Sequence, residues 1–193
     1  MPIINRIADL QDEMTVWRQD LHAHPETAFE EVWTSDYIAD KLETFGMDEI
    51  HRGIAKTGIV AVLRNGNSNK SIALRADMDA LDILEANDVP YKSQIPGKMH
   101  ACGHDGHSTM LLGAAKYLAE SRNFDGTIYF IFQPAEENEG GGRVMVEEGL
   151  FDRFPAQAVY GMHNAPGLPV GEMAMRSGPS MAGYDIFEIE IEG

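Results

Sequence analysis

Residues 127–163 read TIYFIFQPAEENEGGGRVMVEEGLFDRFPAQAVYGMH, and the order of patterns along them decides the fold. A run rich in β-branched and aromatic residues, 127–133, predicts a strand. A short helix carrying Val144 and Leu150 follows, and then a second strand, 158–163. Strand, helix and strand in succession are typical of an α/β fold with a mixed, largely parallel sheet that helices flank.

Metal-capable side chains stand where three predicted strands end. Glu136 and Glu137 follow the first of the two strands, and His163 ends the second. Asp77 ends an earlier apolar run. Because ligands bind at the carboxyl ends of the strands in such sheets, we expect these side chains to share one edge of the sheet.

The two neighbouring glutamates need a break in the strand, since adjacent residues of a regular strand point to opposite faces. Pro134 ends the regular strand, and the glycines at 140–142 free the backbone beyond it. Both carboxylates are then predicted to face the site, one binding metal and the other moving protons. The alternative is a solvated acidic loop.

The stretch MHACGHDGH, residues 99–107, contains three histidines, an aspartate and the single cysteine of the chain. Gly103 and Gly106 predict a loop that turns Cys102 and His104 toward one point. A thiolate, imidazoles and carboxylates together suit zinc, and the share of carboxylates also suits manganese, cobalt or nickel. The number of ligands favours two ions over one.

A thiol enzyme is the alternative chemistry for this stretch. Cys102 would be the nucleophile, with His104 or His107 as its base. That hypothesis leaves the strand-end carboxylates, Glu136 and Glu137, without a role.

The rest of the chain is predicted to be scaffold. Apolar spacing predicts one helix that reaches Leu21, and a capping box at 27–30 predicts a second that ends at Gly46. Residues 58–80 predict a hairpin around a polar turn. Ser108 is predicted to cap the helix after the histidine-rich stretch.

Composition excludes several classes of partner. Asp and Glu number 31 against 15 Lys and Arg, a formal net charge of −16, which repels phosphate backbones and anionic membranes. We therefore expect neither nucleic acid nor membrane as a partner. No stretch approaches the roughly 20 apolar residues of a membrane span. A single cysteine excludes an internal disulfide, and we expect a cytoplasmic protein.

Five runs, in order along the whole chain, resemble the amidohydrolase branch of the aminoacylase-like metallopeptidases. That branch hydrolyses N-acyl amino acids, and hippurate hydrolases and indoleacetyl amino acid hydrolases belong to it. The runs are LHAHPETAFEE (21–31), LRADMDAL (74–81), PGKMHACGHDGHSTMLLGAA (96–115), FQPAEE (132–137) and GMHNAPGLPVG (161–171).

The resemblance implies a zinc-peptidase-like catalytic domain that acts on small N-acyl amino acids with two divalent ions, zinc or manganese first. Cys102 would bridge the ions and Glu136 would be the general base. Asp77 would orient the site, as metal-binding histidines usually demand. The implied metal ligands are Cys102, His104, Glu137 and His163.

Two departures from the family pattern matter. Arg75 stands where the wider family has a histidine, so we expect His104 to supply the replacement nitrogen. Members of the family run to about twice this length, with a lid and dimerisation domain and a further metal-binding histidine. We therefore expect residues 1–183 to be part of the catalytic domain and 184–193 to begin the lid. The chain alone is expected to be an inactive fragment of a homodimeric enzyme.

The five other histidines receive no role from the resemblance, and one of them, His51, is a lone polar residue in its segment. His22 and His24 are two residues apart, so a helix does not place them on one side, and we expect them to be structural. His100 and His107 flank the implied ligands, and their roles stay open.

Overall fold

The computed structural model describes residues 5–181, 183 and 187–192. The chain divides into two compact units, one spanning residues 2–164 and the other residue 1 with 165–193. All assigned helices and strands lie in the first unit, and the described residues of the second form turns, bends and irregular chain. Among the described residues, no helix has the length and apolar character needed to cross a membrane.

The first unit is a five-stranded mixed sheet with helices on both faces, as predicted. The strand order is β1-β2-β4-β3-β5. β3 is parallel to β4 and to β5, whereas β1–β2 and β2–β4 are antiparallel. The elements are α1 Asn5–Asp9, α2 Gln11–Ala23, α3 Val32–Phe45, β1 Glu49–Ile54, β2 Gly58–Asn65, β3 Ser71–Asp77, α4 His104–Ser121, β4 Gly126–Gln133, α5 Gly141–Glu147, α6 Leu150–Arg153 and β5 Val159–Gly161.

Each face of the sheet has its own core. Ile59, Ala61 and Leu63 of β2 point into the core that α2, α3 and α4 cover, and Val60 and Val62 point into the opposite core beneath α5 and α6. Successive strand residues alternate between faces, so a strand covered on both sides must be apolar throughout. This is why the central strands are continuous apolar runs.

The predicted hairpin over 58–80 is wrong. β4 lies between β2 and β3 and pairs with both of them. The polar turn signals a reversal of the chain but does not specify the neighbouring strand, and β4, apolar on both faces, is more stable in the middle of the sheet. The tight reversal instead joins β1 to β2, where Ala55 and Lys56 have positive φ values of 49° and 71°.

The predicted capping box at 27–30 is also wrong, because α3 begins after it. The carboxylate of Glu26 accepts hydrogen bonds from the backbone N–H groups of Trp33 (3.1 Å) and Thr34 (2.8 Å). A negative charge at the helix start accepts hydrogen bonds from the free amides and interacts favourably with the helix dipole. The end of α3 is as predicted, since Gly46 is left-handed with φ 74°.

The predicted opening strand of a lid, residues 184–192, falls partly outside the described residues, at 184–186. Its described part, 187–192, is not assigned to a strand. The boundary between residues 183 and 184 stays a prediction.

Candidate metal centre

The first turn of α4 builds one side of the site. Residues 104–107 were predicted to be a loop with Ser108 as the cap, but the helix already begins at His104, after Gly103 with φ 104°. Only glycine adopts that backbone conformation readily, so it makes the sharp entry into the helix. His104 and His107, three apart, therefore lie side by side with ring centroids 5.4 Å apart.

All six predicted site residues lie together at the carboxyl edge of β3, β4 and β5. Three overlapping groups of side chains have ligand atoms within 4.8 Å of one another, and His104 belongs to each group. The groups are Cys102, His104 and His163; Asp77, His104 and His107; and His104, Glu136 and Glu137.

Two ligand atoms in this cluster are buried without a hydrogen bond. His104 Nε2 and Glu137 Oε1 lie 3.7 Å apart, and neither has a partner among the described residues. Cys102 Sγ lies 3.3 Å from His163 Nε2. Burying polar atoms unsatisfied costs about 1–3 kcal/mol each, and a divalent cation between such atoms removes that cost. The donor set therefore fits a metal ion.

Asp79 orients His104. Its Oδ1 lies 3.1 Å from His104 Nδ1, and its Oδ2 accepts the backbone N–H of Glu137 at 2.9 Å. With Nδ1 donating to this buried carboxylate, Nε2 presents its lone pair to the site. Burial alone would lower the pKa of His104, but the hydrogen bond to Asp79 and the charge of Asp77 raise it.

Asp77, predicted to orient the site, contacts a different histidine. Its Oδ1 lies 2.7 Å from His107 Nδ1 and 3.7 Å from His104 Nε2. Arg75 donates to the other oxygen at 2.6 Å. Burial opposes ionisation, yet the hydrogen bond from His107 and the positive charge of Arg75 hold the pKa of Asp77 down at about 2.

The electrostatics around Cys102 disfavour a thiol nucleophile. Burial raises the pKa of the Cys102 thiol to about 12, assisted by the neighbouring carboxylates of Glu137, Glu136 and Asp77. A nucleophilic cysteine needs a lowered pKa and an electropositive setting. A bound cation would reverse this balance, because it stabilises the thiolate.

The two adjacent glutamates differ in exposure. β4 ends at Gln133, as predicted, and Ala135 has a positive φ of 51°, which breaks the alternation of the strand. The side chain of Glu137 is 18% exposed and that of Glu136 is 41% exposed. Glu136 Oε2 still lies within 3.9 Å of His104 Nε2. One carboxylate is thus held in the cluster while the other reaches solvent.

A second cluster of charged side chains lies on the other side of the first turn of α4. His22 Nδ1 lies 2.7 Å from Asp105, and its Nε2 lies 3.2 Å from Glu85. Arg18 pairs with the same Asp105 oxygen at 2.9 Å. We expected His22 to be structural, and in the structure it joins α2, α4 and the irregular segment that contains Glu85.

Asp79 and Asn164 were not predicted as site residues, and the role of His107 in a metal site stayed open. The spacing of Asp77 and Asp79 was the available signal for the first, because residues two apart share a side of an extended chain. A helical spacing was the signal for His107, hidden by the expectation of a loop. Nothing in the sequence singles out Asn164, whose partners lie in α4.

Fold and site together define a class: an α/β domain with a metal centre at the carboxyl ends of its parallel strands. Residues 73–193 match the family described as Peptidase family M20/M25/M40, and the chain belongs to that family. The resemblance found in the sequence is thereby confirmed.

Two curated relatives show how far the similarity extends. The chain is 48% identical over 193 residues to the hippurate hydrolase of Campylobacter jejuni, covering 100% of this chain and 50% of that protein. It is 44% identical over 177 residues to an N-acetylcysteine deacetylase of Bacillus subtilis, covering 91% and 46%. The chain thus spans about half the length of the curated relatives it matches.

Solved structures agree with the fold. The Bacillus subtilis YXEP protein, described as a dinuclear metal binding peptidase from the M20 family, is 42% identical with a TM-score of 0.80, covering 85% of this chain and 46% of that one. An aminobenzoyl-glutamate utilization protein from Klebsiella pneumoniae is 26% identical with a TM-score of 0.69, covering 86% and 47%.

Proposed function

We propose that the chain supplies the metal-binding half of the active site of an amidohydrolase that cleaves N-acyl amino acids. The observation that carries the proposal is a pair of buried atoms, His104 Nε2 and Glu137 Oε1, which have no hydrogen bond within the described part of the chain and lie beside a thiol surrounded by carboxylates. Relatives named for hippurate, N-acetylcysteine and indoleacetyl amino acids share one substrate chemistry, an amide between an acyl group and an amino acid.

The proposed ligands divide between strand ends and the start of α4. Two divalent ions, zinc or manganese first and cobalt or nickel as alternatives, would acidify a water molecule and polarise the amide carbonyl when bound. The chain's own contribution is to hold these donors in place. The ligands are Cys102, His104, Glu137 and His163.

Glu136 is proposed as the general base. It lies beside the ligand cluster, and the greater exposure of its side chain lets it meet an incoming substrate, whereas Glu137 is anchored by the bond from its backbone N–H to Asp79. A carboxylate in that position takes a proton from water and returns it to the leaving amine. Asp79 and Asp77 keep the neighbouring imidazoles in the correct orientation.

The remaining proposals concern the full-length protein. Residues 1–183 would belong to its catalytic domain and 184–193 would begin a lid and dimerisation domain, in a cytoplasmic homodimer. The net charge of −16 supports the absence of nucleic-acid and membrane partners. The 193-residue chain alone is proposed to be inactive, because its four ligands are few for two ions and its relatives are about twice as long.

Removal and return of metal tests the proposed function. The full-length protein, treated with a chelator, is expected to lose hydrolysis of acetyl and benzoyl amino acids and to regain it with zinc, manganese or cobalt. The 193-residue chain, assayed beside it at saturating metal, is expected to turn over neither substrate. Activity that survives exhaustive chelation would refute the metal mechanism, and equal turnover by the two chains would refute the inactivity of the shorter one.

A further inference from the structure

The ligand His163 depends on the residue that follows it. His163 Nδ1 lies 2.7 Å from the backbone carbonyl oxygen of Asn164, to which it donates. Its Nε2 therefore carries the lone pair and faces Cys102 Sγ. Metal-binding histidines are oriented by such a bond from the second ring nitrogen, so the position of Asn164 determines the direction of the ligand.

Residues at the start of α4 hold Asn164 in place. Its backbone N–H donates to His107 Nε2 at 3.0 Å, and its side-chain Oδ1 lies 2.7 Å from the same nitrogen. The amide also packs on Gly103, where an added Cβ would come within 2.5 Å of Oδ1. The residue after His163 is thus fitted to two residues of the histidine-rich stretch.

His107 is held on its other side by charge. Its Nδ1 donates to Asp77, and its Nε2 faces both the backbone N–H and the side-chain amide of Asn164, so both ring nitrogens contact polar protein atoms. Arg75 binds Asp77 and also donates twice to Gln133 Oε1, at 2.9 and 2.7 Å. A continuous series of hydrogen bonds therefore joins the ends of β3 and β4 to the residue beyond β5.

We infer that His107 is a positioning residue for His163. It fixes Asn164, and the carbonyl of Asn164 fixes the ring that binds metal. Both nitrogens of His107 already have protein partners, so it is not itself a ligand, although it lies within ligand distance of His104 and Asp77. This inference rests on the proposed metal centre and gives a role there to His107, which the resemblance did not assign.

Titration of the metal-free 193-residue chain with Co²⁺ alone tests the inference, followed by calorimetry and by the thiolate–cobalt absorption. We expect His107→Leu to weaken Co²⁺ binding by about 10–100-fold, the usual effect of losing a ligand's partner. Because His107 acts through His163, the double variant with His163→Ala should bind no more weakly than His163→Ala alone.

Asn164→Ala and His51→Gln complete the set of variants. Asn164→Ala keeps the backbone N–H and carbonyl that make the proposed contacts, so its loss of affinity is expected to be below about tenfold. His51→Gln removes a histidine from β1, at the opposite edge of the sheet, and should leave binding unchanged. If His107→Leu loses the circular dichroism of the wild type, His107→Gln takes its place.

The outcomes separate the two proposals. A wild-type chain that binds no Co²⁺ would overturn the metal centre and the inference with it. A wild type that binds, with a folded His107 variant of equal affinity, would overturn the inference alone. Additive losses in the double variant would show that His107 acts independently of His163 and would also overturn it.

Discussion

The two charged clusters on either side of the first turn of α4 both combine histidines with carboxylates and differ in how these groups are paired. In one, His22 has a carboxylate on each ring nitrogen. In the other, His104 has a carboxylate on Nδ1, and its Nε2 faces other ligand atoms and has no hydrogen bond to any residue that the structure describes. Neighbouring residues of one helix thus differ in role: Asp105 belongs to the paired cluster, and His104 turns its Nε2 toward the ligand atoms of the proposed metal site.

Neither histidine content nor an unsatisfied nitrogen is enough to identify a metal site. His100 also lacks hydrogen bonds on both nitrogens among the described residues, and burial lowers its pKa to about 4, so it is neutral. It belongs to none of the groups of converging ligand atoms found in the described part of the chain. Unsatisfied atoms that also converge distinguish the cluster around His104.

The paired glutamates give the largest expected effect. Glu136→Gln in the full-length protein should lower turnover by about 10²–10⁴-fold, the usual contribution of a general base, with metal content nearly intact. Glu137→Gln should lose metal, because it removes a ligand. Kinetics and elemental analysis of the two variants check this, and equal loss of metal from both would contradict the assigned roles.

The placement of these side chains, unlike their roles, can be compared with what was predicted from the sequence. The carboxylates and His163 were found because strand ends in parallel sheets meet at one edge, which depends only on local patterns and chain order. The strand order was missed because turn residues between β2 and β3 specify a reversal and not a neighbour. The pairing of His22 with Glu85 could not be predicted from the sequence, because Glu85 lies in an irregular segment with no periodicity.

The fully paired cluster should respond to mutation in stability. His22→Ala leaves the buried carboxylates of Asp105 and Glu85 without the imidazole that they share, and removing one partner of a buried charged group costs about 3–5 kcal/mol. Urea unfolding of the 193-residue chain measures the free energy of unfolding. A loss below about 1 kcal/mol would show that the cluster does not stabilise the fold.

The same cluster predicts a pH dependence. The hydrogen bond to Asp105, with that to Glu85, outweighs burial and the charge of Arg18 and raises the pKa of His22 above 6.5. His100, the other histidine beside it, is neutral. A raised folded-state pKa gives a stabilisation that is complete below pH 6.5 and is lost as pH rises through the folded-state value.

Unfolding free energies of the wild type and His22→Gln, measured in parallel across pH, check this sign. The difference between the two proteins should be largest below pH 6.5 and should shrink at higher pH. A difference that grows with pH would mean that His22 is neutral in the folded protein.

The smallest expected effect concerns the contact that anchors α4 between the two clusters. Ser108 Oγ donates to the backbone carbonyl of Asp77 at 2.9 Å. Ser108→Ala should cost about 1 kcal/mol, the net value of one hydrogen bond, and should leave both clusters assembled. Thermal unfolding measures the cost, and a Co²⁺ affinity equal to that of the wild type is the companion result. A large loss of affinity would show that this bond, and not the side chains alone, sets the site.

Histidine ring nitrogen NMR of the metal-free chain, recorded before and after addition of zinc, distinguishes the proposed metal ligands His104 and His163 from the fully paired His22. Signals are assigned with the single histidine variants. We predict that the Nε2 resonances of His104 and His163 move to values typical of zinc ligands, while the two ring nitrogen resonances of His22 do not move. Zinc shifts at His22, or none at His104, would contradict it.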